Sequence, residues 1–503
     1  MKRLTCYALV LVCVVGLAVL AQGTNVLTLG KSEELTTLDP QNHFNRTCFM
    51  LYRLVYGGMT EIMPGGGVIP RLATSWEASD NATVWTFHLR QGVAFHNGEP
   101  FNADAVKYSF DRLINNPELI HHRYVTDLLE VKVIDEYTVS FHLAKPNAEY
   151  PYYVSSMSGV ILPPAYSEEH SVNGKLEWPM DQIGTGPFKY VDWDSGTGFR
   201  VVRNPDFWGW GTFATTNVDE IVYIQIKETS TKIAALEAGE VDVIDGVPVE
   251  SIASINSNPN LTVVQDVRWQ RFAIWMQTEN GIFDDPLVRR AMQYSVDREE
   301  LAEYVYGMGR ATYSYIPEGM PGSNPYLVPF GYNPELAREL LAQAGYPDGL
   351  DLDYITCETW YPKQAEAAAA LQQQMAAAGI RLNVRLLDGG PFRAARADKD
   401  WDLMYTADVF EGIPGLRLSI LGQGTYYSGW DYTFFNKLLA LAVAETDADE
   451  RARIFMLLNS YMHEQGDCIT VVLHDSIDAI NDRVVGFQPC EWWDWYLYEV
   501  QLQ

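Results

Sequence analysis

Basic residues, histidine and cysteine are all scarce in this chain. Lys and Arg total 36 against 65 Asp and Glu, a formal net charge of −29 over 503 residues. A polyanion of this kind repels the phosphate backbone of nucleic acid and anionic lipid head groups, so neither is an expected partner. The charge reads as a well-solvated surface and says little about a ligand. Six cysteines and nine histidines leave little for metal chemistry, and no cysteine spacing matches a zinc site. His121 and His122 are sequence neighbours that point different ways from a helix. His463-Glu464-Gln465-Gly466-Asp467 has Asp where a zinc-protease helix needs its second His, and reads as a helix end. No G-x-S-x-G elbow and no P-loop occur, and acidic pairs are too many to nominate a glycosidase dyad. With no nucleophile, base and orienting group to assemble, the expectation is a protein without catalysis, metal or cofactor.

Long apolar runs are missing beyond the first two dozen residues, so no later segment is expected to cross a bilayer. The first residues differ. Lys2 and Arg3 precede an apolar run from Tyr7 to Leu20 that ends at Ala21-Gln22-Gly23. A short basic region, an apolar core and small residues make a secretory signal peptide over 1–23, cut after Ala21 or after Gly23. An uncleaved anchor is the alternative. A lipoprotein anchor is disfavoured, because Cys6 and Cys13 sit inside the apolar segment without small-residue context. The mature chain is therefore expected to be exported, periplasmic or extracellular.

What is present is core material. Hydrophobic residues make up 47% of the chain, and its length implies two or more domains. Trp (14) and Tyr (29) are plentiful enough to suit an aromatic-lined cleft as well as packing. Between Leu72 and Leu113, Trp85, Phe87 and Leu89 alternate with Thr86, His88 and Arg90, the period of a half-buried strand. Asn102 then stands at an N-cap, with Val106, Phe110, Leu113 and Ile114 on one helical face. Ile183-Gly184-Thr185-Gly186-Pro187-Phe188-Lys189-Tyr190 is a glycine turn entering a strand, without the third glycine of a dinucleotide loop. Further on, Asp285 caps a helix that begins at Pro286 and turns Val288, Ala291, Met292 and Ser295 inward. Asp297 and Glu300 form a capping-box-like start for another helix. Asn333, Pro334 and Gly345 bound a third helix. A strand over Leu350–Cys357, a helix over about Gln364–Ala378 and a strand over Ile380–Leu387 follow. A helix over Glu450–Glu464 and a strand over Cys468–His474 complete an α/β alternation.

The segments Leu72–Leu113, Ile183–Tyr190 and Arg268–Leu301 together resemble the bacterial family 5 solute-binding proteins. These are extracytoplasmic receptors of peptide-type ABC importers. Gln277 is one departure, since relatives usually carry Asn there. The resemblance spans nearly the whole mature chain. It implies an α/β, two-lobed periplasmic-binding-protein-like fold (type II, cluster C), hinged, with an extra subdomain in lobe one. Lobe one would cover 24–268 and 478–503, its subdomain about 59–180, and lobe two 269–477. On that assignment Cys48 and Cys490 share one lobe while Cys357 and Cys468 share the other. These are the favoured disulfide pairs in an oxidising compartment, with buried thiols as the alternative.

By the same resemblance, a buried acid after a lobe-two strand holds a peptide's free amine. In Trp401–Arg417 the candidates are Asp408 first and Glu411 second. Ile413 stands where relatives carry an acid beside Pro. Arg417 could meet a ligand carboxylate or make a surface ion pair. Cleft-facing candidates are His43, Phe44 and Asn45, then Trp269 and Arg271 at the hinge. Trp360 and Tyr361, and Tyr426, Tyr427 and Trp430, complete the set; plain packing is the competing role for each aromatic. The implied ligand is an oligopeptide or dipeptide, the alternative an oligosaccharide stacked on aromatic rings. A nickel complex and a secreted chaperone or scaffold role rank lower. The expected partners are the transmembrane subunits of an ABC permease, and the chain is expected to be a monomer.

Overall fold

The computed structural model describes residues 25–43, 46–79, 81–155, 158–172, 175–176, 181–266, 270–277, 281–307, 309–360, 363–410, 414–415, 417–418, 433–466, 468–490 and 495–503. The signal segment expected over 1–23 lies outside them. Among the described residues no helix is long and apolar enough to cross a membrane.

Two large sheets organise the chain. The first runs Phe188–Asp194, Gly198–Arg203, Glu220–Gln225, Val26–Lys31, Val243–Ile244, Ser476–Asn481, Leu261–Asp266 in spatial order. The second runs Gly309–Ala311, Cys468–His474, Gln270–Met276, Leu403–Val409, Leu350–Cys357, Ile380–Leu387. A four-stranded antiparallel sheet, Ala73–Ala78, Val84–Leu89, Thr138–Leu143, Leu128–Asp135, is inserted between strands of the first. The chain passes from the first large sheet to the second between Asp266 and Gln270, and returns between His474 and Ser476. Two adjacent crossings join the sheets, so one end of the second sheet lies at the junction.

The strand Gln270–Met276 shows why both faces of the second sheet are covered. All seven of its residues are buried, and alternate side chains enter different cores. Phe272, Ile274 and Met276 join Val288, Ala291, Met292, Leu371 and Met375. Ala273 and Trp275 join Phe435, Leu439, Phe455, Leu458 and Met462 on the other side. In the inserted sheet Trp85, Phe87 and Leu89 are buried beside Val106, Phe110 and Leu113 of the helix Ala103–Asn115.

The glycine turn at 184–186 is a packing device. A Cβ on Gly184 would lie 2.1 Å from the Val55 carbonyl oxygen, and one on Gly186 would lie 2.4 Å from that of Leu54. The end of the helix Arg46–Val55 therefore sits on bare backbone, and the Gly186 N–H donates to the Val55 carbonyl at 2.8 Å. The expected disulfides are corrected: Cys48, Cys357, Cys468 and Cys490 are all buried thiols. Cys48 and Cys490 share one core and Cys357 and Cys468 another. Sharing a core is a weaker condition than bonding, which needs Cβ atoms about 3.8 Å apart. Cys48 packs on the Thr36 hydroxyl and Cys490 on Arg53 instead. Burial pushes the Cys48 thiol up to about 11.

Candidate functional site

Register places the central contact. In the antiparallel pair Gln270–Met276 and Leu403–Val409, Arg271 stands opposite Asp408, so the two side chains leave the same face as direct neighbours. Both lie at the strand ends nearest the junction. Arg271 Nη2 donates to Asp408 Oδ2 at 2.8 Å, and Arg417 Nη2 pairs with Asp408 Oδ1. The side chains of Arg271 and Asp408 are 1% and 0% exposed, whereas Arg417 keeps 19%.

Arg271 also donates through Nη1 to the Tyr315 carbonyl. Its guanidinium carbon lies 4.2 Å from the Tyr315 ring centroid, 5.4 Å from Phe410 and 5.9 Å from Trp275. Aromatic faces attract a guanidinium but do not neutralise it. Tyr315 is itself held from the helix Ala448–Gln465. Asn459 Oδ1 accepts from the N–H groups of Tyr315 and Ile316 at 2.8 and 3.3 Å, while its Nδ2 donates to Ser314 Oγ at 2.8 Å.

The segment that carries Arg417 touches the inserted sheet's unit. The Gly415 N–H donates to Glu149 Oε2 at 3.0 Å, and the Ala148 N–H donates to the Val443 carbonyl at 2.6 Å. Glu149 is buried, and burial pushes its carboxyl up to about 7, against the opposing pull of Arg451 and the Gly415 N–H.

Of the residues nominated from sequence, the structure joins Asp408, Arg271 and Arg417. His43 is elsewhere, buried against Phe49, Tyr52 and His121 with ring centroids 4.5, 4.8 and 4.6 Å away. Trp360 is half-buried, edge-on to Phe392 at 5.2 Å, with the Arg393 guanidinium 4.7 Å from its ring centroid. Phe44, Asn45, Trp269, Tyr361, Glu411, Tyr426, Tyr427 and Trp430 lie outside the described residues. Glu149, Tyr315 and Asn459 were not nominated. For Glu149 a signal existed, a lone acid between Ala148 and Tyr150 in an otherwise uncharged stretch. Among the described residues no group of three or more His, Cys, Asp or Glu is placed to hold a metal ion.

Two mixed sheets joined by adjacent crossings, with buried charge at the junction, define a two-lobed binding protein of type II topology. Residues 67–415 match the bacterial extracellular solute-binding proteins, family 5 Middle, and the chain belongs to that family. Heme-binding protein A of Haemophilus influenzae is 28% identical over 472 residues, covering 86% of this chain and 84% of the relative. The dipeptide-binding protein of Escherichia coli is 27% identical over 462 residues, covering 86% and 84%. Among solved structures, HbpA2 from Haemophilus parasuis superposes with a TM-score of 0.84 at 25% identity, over 95% of this chain and all of that one. Members of this family are substrate-binding transport proteins.

Proposed function

We propose that this chain is the extracytoplasmic receptor of an ABC importer, capturing short peptide-type solutes between two lobes and presenting them to the permease. The lobes would be 24–268 with 478–503, and 269–477, with the subdomain over about 59–180. The protein would act by binding alone, after export directed by the segment 1–23. The observation that carries the peptide class is the buried Arg271–Asp408–Arg417 cluster at the junction. Charge taken out of water costs several kcal/mol per ion unless partnered, and a neutral oligosaccharide gives no return on it. A charged-ended peptide does. Among sequence relatives, the dipeptide-binding protein of Escherichia coli supports the same class.

The role is conformational. A ligand touching both lobes stabilises the arrangement in which they meet, by no more than its differential affinity for that arrangement. To test this, the chain is unfolded, stripped of carried-over ligand and refolded, then melted with di- to hexapeptide pools and with cello-, manno- and xylo-oligosaccharides. At a hundred times Kd a native-state ligand adds about 2.7 kcal/mol. The expected result is a raised Tm with peptides alone. A rise with sugars alone overturns the peptide class, and no rise with any pool overturns the receptor role.

A further inference from the structure

We propose that Asp475 and Arg310 form a charged catch in the hinge, disengaged while the two sheet units touch and engaged when they part, which holds the ligand-free receptor open. The inference rests on the receptor reading above and deepens it with a control on that receptor's closure.

Topology singles out Asp475. The strand Cys468–His474 belongs to the second large sheet and Ser476–Asn481 to the first, so Asp475 alone makes the return crossing. The outgoing crossing begins beside it, because Asp266 pairs with Ser476 and Gln265 with Ile477. A rotation of one sheet against the other is taken up in these two crossings, and the Asp475 side chain swings with it. Gln265 Nε2 donates to Asp475 Oδ2 at 3.0 Å, which ties the crossings together.

The other oxygen is unclaimed. Asp475 is 3% exposed, and its Oδ1 is buried with no hydrogen-bond partner among the described residues. Arg310 lies on the edge strand Gly309–Ala311 of the second sheet, opposite Leu473. Asp475, two residues past Leu473, stands diagonal to it, a spacing of about 7–8 Å that a long side chain spans. Arg310 donates through Nη1 to Glu318 at 3.0 Å, while its Nε and Nη2 are buried and unpartnered among the described residues. An acceptor and two donors of opposite charge thus lie within reach of one another, each costly to leave unpaired. Burial raises the Asp475 carboxyl above its ordinary value, against the Gln265 bond and the nearby Arg310 charge. The guanidinium is close enough to be felt and has not closed the contact.

In this arrangement the units touch at Gly415 and Glu149 and at Ala148 and Val443, with the catch disengaged. Pairing of Asp475 with Arg310 therefore belongs to another setting of the hinge, in which the units have parted, and stabilises that setting. A solute must then overcome the catch to close the receptor, and its apparent affinity is reduced by the fraction of molecules competent to close.

Small-angle scattering, and titration calorimetry with the dipeptide Ala-Phe, test this at pH 7 on the refolded protein. The parent is compared with Asp475→Asn, which keeps an oxygen for Gln265, with Arg310→Gln and with the double variant. Each variant is expected to show a smaller ligand-free radius of gyration and to bind Ala-Phe about fivefold more tightly, the low end of coupling between sites. The double variant should gain no more than either single one, because both remove the same contact. A merely structural role would instead weaken binding and expand the chain. Unchanged or weaker binding with no fall in radius overturns the catch, as does a double variant whose gain is the product of the two. Should Asp475→Asn fail to fold, Arg310→Gln carries the test, since that side chain is 40% exposed. A parent that binds no Ala-Phe overturns the dipeptide receptor. The scattering comparison then still decides the catch, and equal radii refute it.

Discussion

His43 and His121 lie ring to ring, 1% and 0% exposed, with centroids 4.6 Å apart. Burial, and then the nearby Arg123, push His43 down to about 3; burial, and then His43 itself, push His121 well below its ordinary value. Both are therefore neutral in the folded protein at any mild pH. The unfolded chain binds a proton at each near pH 6.5 and the folded chain does not, so the stability they contribute is present above 6.5 and lost as pH falls. For His43 the loss between pH 6.5 and 5 is about 2 kcal/mol. Urea midpoints across that window should fall less steeply in His43→Leu than in the parent; an unchanged slope would refute the assignment. At this scale the sequence carried the identity of the chemistry without its geometry. Asp408, Arg271 and Arg417 could each be nominated singly. Their convergence could not, because Arg271 and Asp408 are 137 residues apart and meet through strand register. Register also decides partners: an acid that suits an amine in isolation is here paired with two arginines.

Elements were more legible than contacts, because capping chemistry is local. Asn102 accepts from the Ala105 N–H at 3.1 Å, Asp285 from that of Leu287 at 2.8 Å, and Asn333 from that of Leu336 at 3.0 Å. The strands Leu350–Cys357, Ile380–Leu387 and Cys468–His474 fall where the pattern puts them. The start at Asp297 is half a capping box. Asp297 accepts from the Glu300 N–H at 2.9 Å, but the Glu300 side chain turns to Gln374 at 2.8 Å rather than back to the cap. Three residues later the helix widens into a π turn over Leu301–Tyr306. That spacing puts Leu301 and Tyr306 on one buried face and brings the Tyr306 hydroxyl within 2.7 Å of that of Tyr405. The helix Ala448–Gln465 carries a consequence for binding through Asn459, whose oxygen serves two buried backbone N–H groups of the segment under Arg271. Asn459→Leu keeps the volume and orphans both. At 1–3 kcal/mol for each unsatisfied buried donor, the expected destabilisation is about 3 kcal/mol. Denaturant unfolding reads this directly, and a loss under about 1 kcal/mol would mean that water replaces the amide.

The whole molecule is two sheet units that touch away from their junction as well as at it. Glu149 accepts from the Gly415 N–H, and Ala148 donates to Val443 beside it. Neither residue of the first unit is near a motif, so sequence gave no means of seeing that these surfaces meet. The groups facing the Glu149 carboxyl are Arg451 and the Gly415 N–H, with the Tyr152 phenol nearby. These do not offset its burial, and its carboxyl titrates at about 7. An acid raised in this way is protonated while the units touch and prefers to ionise when they part. The contact is therefore intact below about 4.5 and weakens as pH rises from there to 7, opposite in sign to the histidines. Each pH unit between about 4.5 and 7 is worth about 1.4 kcal/mol, roughly a tenfold fall in the ratio of touching to separated forms, and above 7 the ratio levels off. Small-angle scattering of the ligand-free protein should show a larger radius of gyration at pH 7 than at pH 5. Glu149→Gln keeps an oxygen for the Gly415 N–H but cannot ionise, so its radius should stay at the parent's pH 5 value throughout. An equal expansion in the variant would place the titrating group elsewhere. Because solute binding draws on the same equilibrium, affinity for Ala-Phe should fall over this range in the parent and hold level in Glu149→Gln.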